Sequence, residues 1–234
     1  MGIAFGVLAL VAVAANMIVR VKGPSWRAFT FKTVCGVLFC VLGVAGLRHV
    51  IVHMPGTHLV MLAVFILIGL VLGLLGDACL ALKDLVDQKY DLFFLAGFLC
   101  FALGHVAFII GLLRGWDTPV PWPPILICAA LASAYVVAGP RIRLEFGSFK
   151  WIVAVYSLVV LMLPAMGFFT VVTASGDLAQ PWIMAIAGVC FLISDLVLAW
   201  TYFGPGKDEG WEHVVCYVFY YAAQFGIASS LFWI

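Results

Sequence analysis

The sequence is short of charge, and it has no polar stretch long enough to be a soluble domain. Only 10% of its 234 residues are Asp, Glu, Lys or Arg, while 66% are hydrophobic and the mean hydropathy is +1.21. A soluble domain carries roughly 25% charged residues, so this chain is built to dissolve in lipid. The net charge of +1 leaves no basic face for nucleic acid. No basic segment precedes the first apolar run, which speaks against a cleaved signal peptide, and Gly6 stands where a myristoylation signal after Met1-Gly2 needs Ser or Thr. There is no Gly-x-Ser-x-Gly elbow, no His-Glu-x-x-His and no phosphate-binding glycine loop. The seven cysteines lie in or beside apolar runs without paired spacing, so they read as small packing groups rather than disulfide partners or metal ligands.

What is present is a series of apolar runs. A membrane-spanning helix needs about 20 mostly apolar residues. Eight runs qualify, at about 3–20, 31–50, 59–82, 91–113, 124–139, 150–173, 181–203 and 213–233. They predict an all-α polytopic membrane protein, a single integral membrane domain over 1–234. The fifth run is short and entered through Pro119, Pro121, Pro123 and Pro124, and Pro164 is expected to kink the sixth. Connectors one, three, five and seven hold ten Lys or Arg residues (Arg20, Lys22, Arg27, Lys32; Lys83, Lys89; Arg141, Arg143, Lys150; Lys207), against Arg48 and Arg114 on the other side. The positive-inside rule then puts the odd connectors in the cytoplasm and both termini outside it. That membrane is the plasma or inner membrane of a bacterium, or the endoplasmic reticulum of a eukaryote.

Two aspartates interrupt the apolar runs: Asp77 in the third and Asp195 in the seventh. A carboxylate inside a span costs roughly 2.5–3.5 kcal/mol on insertion scales and calls for a partner or a purpose. Both stand in the pattern Asp-x-x-Leu-Ala, 118 residues apart, about half the chain. Two parallel four-helix repeats would bring them to one depth. At 1.5 Å per residue, both fall in the cytoplasmic half of the bilayer. Tyr156 falls there too, as does the helix face carrying Tyr217, Tyr220, Tyr221 and Gln224, and His105 lies deeper. Gly69, Gly73 and Gly76 lead up to Asp77, and Gly188 precedes Asp195; small residues there permit close helix approach or leave room for a ligand chain. His49, His53 and His58 sit at the opposite rim without an acid and read as interfacial.

Gly76-Asp77, Phe101-x-x-Gly104-His105, Tyr156, Ser194-Asp195 and Tyr220-Tyr221-Ala222-Ala223-Gln224 together resemble the YhhN-type lysoplasmalogenase family. Two positions depart from it: Lys32-Thr33 stands where the family tends to have Lys-Pro, and Phe108 where it often has tyrosine. The resemblance implies an integral membrane hydrolase that cleaves the vinyl ether of lysoplasmalogens to a fatty aldehyde and glycerophosphocholine or glycerophosphoethanolamine. Its partners would be a lysophospholipid substrate and membrane lipid, and no cofactor is expected. Vinyl ether hydrolysis needs a general acid, a group facing developing positive charge, and a base for water. Asp77 and Asp195 are the candidates for the first two roles, in either order, and His105 for the third. Lys32 is expected to meet the lipid phosphate, and Tyr156, Tyr220, Tyr221 and Gln224 to orient the substrate. Two other readings of the residues stay open. Asp77, His105 and Asp195 could hold a divalent metal for lipid ester or amide hydrolysis, or could relay protons in a proton-coupled carrier.

Overall fold

The computed structural model describes residues 2–116, 118–175, 178–205 and 210–234. It has eight α-helices: α1 (Gly2–Val21), α2 (Trp26–His53), α3 (His58–Lys83), α4 (Tyr90–Gly115), α5 (Trp122–Ala138), α6 (Lys150–Thr173), α7 (Ala179–Phe203) and α8 (Trp211–Ser230). Short 3-10 turns at Asp87–Lys89, Gly139–Ile142 and Gly147–Phe149 complete it, with no strand among the described residues. Helices are the solution lipid allows, because their backbone donors and acceptors are satisfied within the segment.

Among the described residues, six helices are long and apolar enough to cross a membrane: α2, α3, α4, α5 with its following turn, α6 with its preceding turn, and α7. The Gly6–Arg20 part of α1 is a shorter apolar helix, and α8 falls outside the six. The chain is therefore an integral, multi-pass, all-helical membrane protein. Lys207, one of the ten basic residues of the odd connectors, lies outside the described residues.

Local chemistry sets the helix ends more than hydrophobicity does. α2 begins five residues before its apolar run because Ser25 caps it, its Oγ accepting from the Ala28 amide at 3.2 Å. α5 takes proline in its first turn, where the missing N–H costs nothing. Pro164 lies inside α6, which continues to Thr173.

Neighbours in sequence pack side by side from α1 to α4 and again from α5 to α8, and the pairs α2–α8 and α4–α6 join the two sets. α5 is the outlier: it packs on α6 and makes little contact elsewhere. α6 and α7 approach through Gly188, where a Cβ would stand 2.6 Å from the Pro164 nitrogen. That approach fixes the seven residues of α7 leading to Asp195 against α6. The glycines of α3 serve similarly: a side chain at Gly69 or Gly76 would meet the ring of Phe108 or Phe101. The space beside them is thus filled by protein rather than left for a ligand.

Candidate active site

Asp77 is 2% exposed, on the buried face of α3. Two elements distant in sequence meet it. From α2, the Lys32 ammonium lies 3.0 Å from Oδ1. From α8, the Tyr220 hydroxyl donates to Oδ2 at 2.7 Å. Gln224, one turn further along α8, donates from Nε2 to the Tyr220 oxygen at 3.0 Å, and its amide occupies the space that Gly73 leaves open. The order of donation is therefore Gln224 to Tyr220 to Asp77, with Lys32 on the other carboxylate oxygen. A buried charge persists in hydrocarbon only when it is paired and hydrogen-bonded in this way.

Asp195 is half-buried on α7. It accepts one hydrogen bond, from the Tyr156 hydroxyl of α6 to Oδ2 at 3.0 Å. Among the described residues no cation pairs with it. The preceding Ser194 pairs with Cys216 of α8, Oγ to Sγ 3.3 Å.

Both carboxylates line one polar cavity of about 160 Å³. Its remaining charged walls are Arg20, Lys32, Lys83 and Asp84. Arg20 of α1 binds Asp84 at 2.7 Å, Lys83 binds the same carboxylate, and the Lys83 ammonium sits 4.8 Å and 4.7 Å from the Tyr90 and Tyr202 ring centroids. Burial works against the charge of Asp84, which follows the last residue of α3. Even so, the hydrogen bond and charge of Lys83 and the guanidinium of Arg20 hold its carboxyl below the usual carboxylate range. Arg20 keeps a buried Nε without a hydrogen-bond partner.

Asp195 also lines a second, apolar cavity of about 190 Å³ between α5, α6 and α7. Leu198 is the one other residue common to both. Asp195 therefore stands on a wall between a charged chamber and a greasy one.

The other residues expected at the site fall unevenly. Tyr156 lines the apolar cavity and Tyr220 the polar one. Tyr221 turns away: its hydroxyl accepts from Asn16 of α1 at 3.1 Å, and it borders a groove between α1, α2 and α8. His105 is 1% exposed and lines neither of the two cavities that Asp195 joins. Its Nδ1 bonds the Phe101 carbonyl at 2.8 Å, its Nε2 has no partner, and Phe191 packs on its ring at 4.6 Å. Lys32 reaches the cavity, but its ammonium is held by Asp77 rather than standing free at the interface. Among the described residues, no three His, Cys, Asp or Glu side chains are grouped to hold a metal ion.

Arg20, Lys83 and Asp84 enter the site without having been expected there. The signal existed: Asp84 is seven residues, two helical turns, beyond Asp77 and so shares its face. Asn16 and Arg20 repeat the same logic one turn apart on α1.

A helical membrane protein with two carboxylates, one buried and one half-buried, on one polar cavity is the class that the fold and site define. The YhhN family model matches residues 27–231, a span holding both aspartates and their partners. The chain belongs to the YhhN family. No curated protein and no solved structure matches it.

Proposed function

We propose that the protein is a lysoplasmalogenase-like hydrolase, which adds one water across the vinyl ether bond of a lysoplasmalogen. The products are a fatty aldehyde and glycerophosphocholine or glycerophosphoethanolamine. The observation that carries this reading is the unequal pair of carboxylates on one cavity: Asp77 clamped by Lys32 and Tyr220, Asp195 held, among the described residues, by Tyr156.

Protonation of the vinyl ether at carbon is the slow step, and it needs a carboxylic acid rather than a carboxylate. Asp195 is the candidate, since among the described residues it has the Tyr156 hydroxyl as a partner and no paired cation. Its proton goes to the alkene carbon, and the ether oxygen then shares the positive charge of an oxocarbenium ion. Asp77, on the same cavity, is the standing negative charge for that cation. A lipid phosphate drawn to Arg20, Lys32 and Lys83 competes for the Lys32 ammonium and so frees the Asp77 charge as substrate binds. Water adds to the cation and gives its proton back to Asp195, now a carboxylate; glycosidase acids make the same switch. The hemiacetal then collapses to aldehyde and alcohol. His105 acts from behind this site as a positioning residue, packed on Phe191 and with its ring 6.3 Å from that of Tyr156. No serine nucleophile is required.

The topology proposed with it is eight crossings with both termini on the non-cytoplasmic side, supported by the ten-to-two division of Lys and Arg between the connectors. Arg20, Lys32 and Lys83 then open the polar cavity toward the cytoplasm.

The test is mass spectrometry of the purified, detergent-solubilised protein incubated with alkenyl, acyl and alkyl lysophospholipids. Aldehyde from the alkenyl lipid alone is expected. Fatty acid from the acyl lipid would move the protein to ester hydrolysis. Counterflow in proteoliposomes without product would make it a carrier.

A further inference from the structure

The geometry points to the apolar cavity between α5, α6 and α7 as the seat of the substrate's single hydrocarbon chain, entered sideways from the membrane, while the headgroup occupies the polar cavity across Asp195. This rests on the reading above that the substrate is a one-chain lipid with its ether next to the headgroup.

The first support is adjacency. Asp195 and Leu198 are walls of both cavities, and Tyr156 holds the carboxylate from the apolar side. An amphiphile with one end in each chamber must cross at Asp195. The scissile atoms of a vinyl ether are those at the junction of headgroup and chain, so they arrive beside the proposed acid.

The second is the chemistry of the walls. Arg20, Lys32 and Lys83 face the polar cavity. The apolar cavity has Leu131, Val160, Leu161 and Leu192, and no charged residue but Asp195. These chambers suit the two ends of one lysophospholipid.

The third is the opening. α5 packs on α6 and makes little contact with α7, so the two flank α6 with a gap between them. Leu131 of α5 and Leu196 of α7, at that gap, are 51% and 46% exposed, as lipid-facing residues are. Along α7, Leu192, Asp195, Leu196, Ala199 and Phe203 share one face. They cover about 16 Å of helix, roughly the depth of one leaflet of a 30 Å core.

Two competing places for the chain fail on connection. The groove between α1, α2 and α8 is larger, about 670 Å³, but it borders Tyr221 and neither carboxylate. The surroundings of His105, deeper in the bundle, are closed by Phe108 and Phe191. A chain in either could not bring its ether to Asp195.

The probe is an alkyl-ether lysophosphatidylcholine, which lacks the vinyl group, carrying a diazirine at the chain end. After photolysis, adducts are expected on the α5, α6 and α7 peptides containing Leu131, Leu161 and Leu192, suppressed by excess unlabelled alkyl lipid. Ala199→Trp should lower that labelling at least tenfold and raise KM for lysoplasmalogen more than it lowers kcat. Ser157→Phe, from the facing helix, should act in the same direction. Adducts centred on residues 9–17 and 218–226, or spread evenly over the lipid-facing helices, would overturn the site, as would an unchanged KM in both variants. Labelling of the α5–α7 cavity by a protein that never cleaves a vinyl ether would sink the reaction and keep the site. Turnover with labelling elsewhere would do the opposite.

Discussion

Asp77 meets an ammonium, a phenol and, through the phenol, an amide; Asp195 meets one phenol. The two stand in the same Asp-x-x-Leu-Ala pattern on helices that occupy corresponding places in the chain. The difference lies in what the neighbouring helices send. α2 sends Lys32 to α3, whereas α6 sends Tyr156 to α7. A neighbouring lysine favours the charged form of a carboxylate, and a hydroxyl alone favours it less. One pattern thus yields two environments, decided by a residue on another helix.

The comparison breaks most sharply at Asp195. Asp195→Asn should lower kcat by about 10²–10⁴-fold, the usual cost of losing a general acid, with the thermal midpoint in detergent little changed, because no charge is stranded. Steady-state aldehyde release measures this, and near-normal turnover would make Asp195 structural.

Asp77→Asn should instead show itself first in stability. It leaves the Lys32 ammonium buried without its partner, a loss of about 3–5 kcal/mol. Adding Lys32→Met removes the stranded charge and should restore most of the unfolding midpoint while leaving turnover low. Recovery of both together would mean that Asp77 serves the fold alone.

His105→Gln should cost less than the ~10²-fold expected of losing a general base, since the ring lines neither cavity. A larger fall, with a changed pH–rate profile, would place His105 in the proton path.

The smallest effect belongs to Asp84. Its carboxyl is held below the usual range by Lys83 and Arg20, so the stability it adds is present above the unfolded value of about 4 and is lost as pH falls through the folded one. Unfolding midpoints taken from pH 6 to pH 3 should decline, and Asp84→Asn should flatten that decline.

Hydrophobic run length made the helices legible, and helical period put Tyr220 and Gln224 on one face. Their shared face also brings Tyr220 within reach of Asp77. Partner choice was not legible. Lys32 reads from sequence as an interfacial cation beside Arg27, and only the packing of α2 on α3 turns it inward to Asp77. Tyr221 sits on the correct stretch of α8, but a rotation of about 100° per residue carries it toward Asn16 instead. His105 packs its ring on Phe191 and lines neither of the two cavities, which the sequence does not reveal. The start of α2 was hidden because a serine cap, not hydrophobicity, sets it.

If the reaction proposed above runs at the wall that Asp195 shares between two cavities, that wall also decides where its products go. Cleavage there would leave the polar alcohol among Arg20, Lys32 and Lys83, with water as its way out, and the aldehyde in the apolar cavity between α5, α6 and α7. The two halves of the substrate part into different phases without passing each other. A reactive aldehyde released in this way stays in the bilayer, away from the amines of the cytoplasm, and reaches whatever oxidises or reduces it by diffusion in the membrane plane.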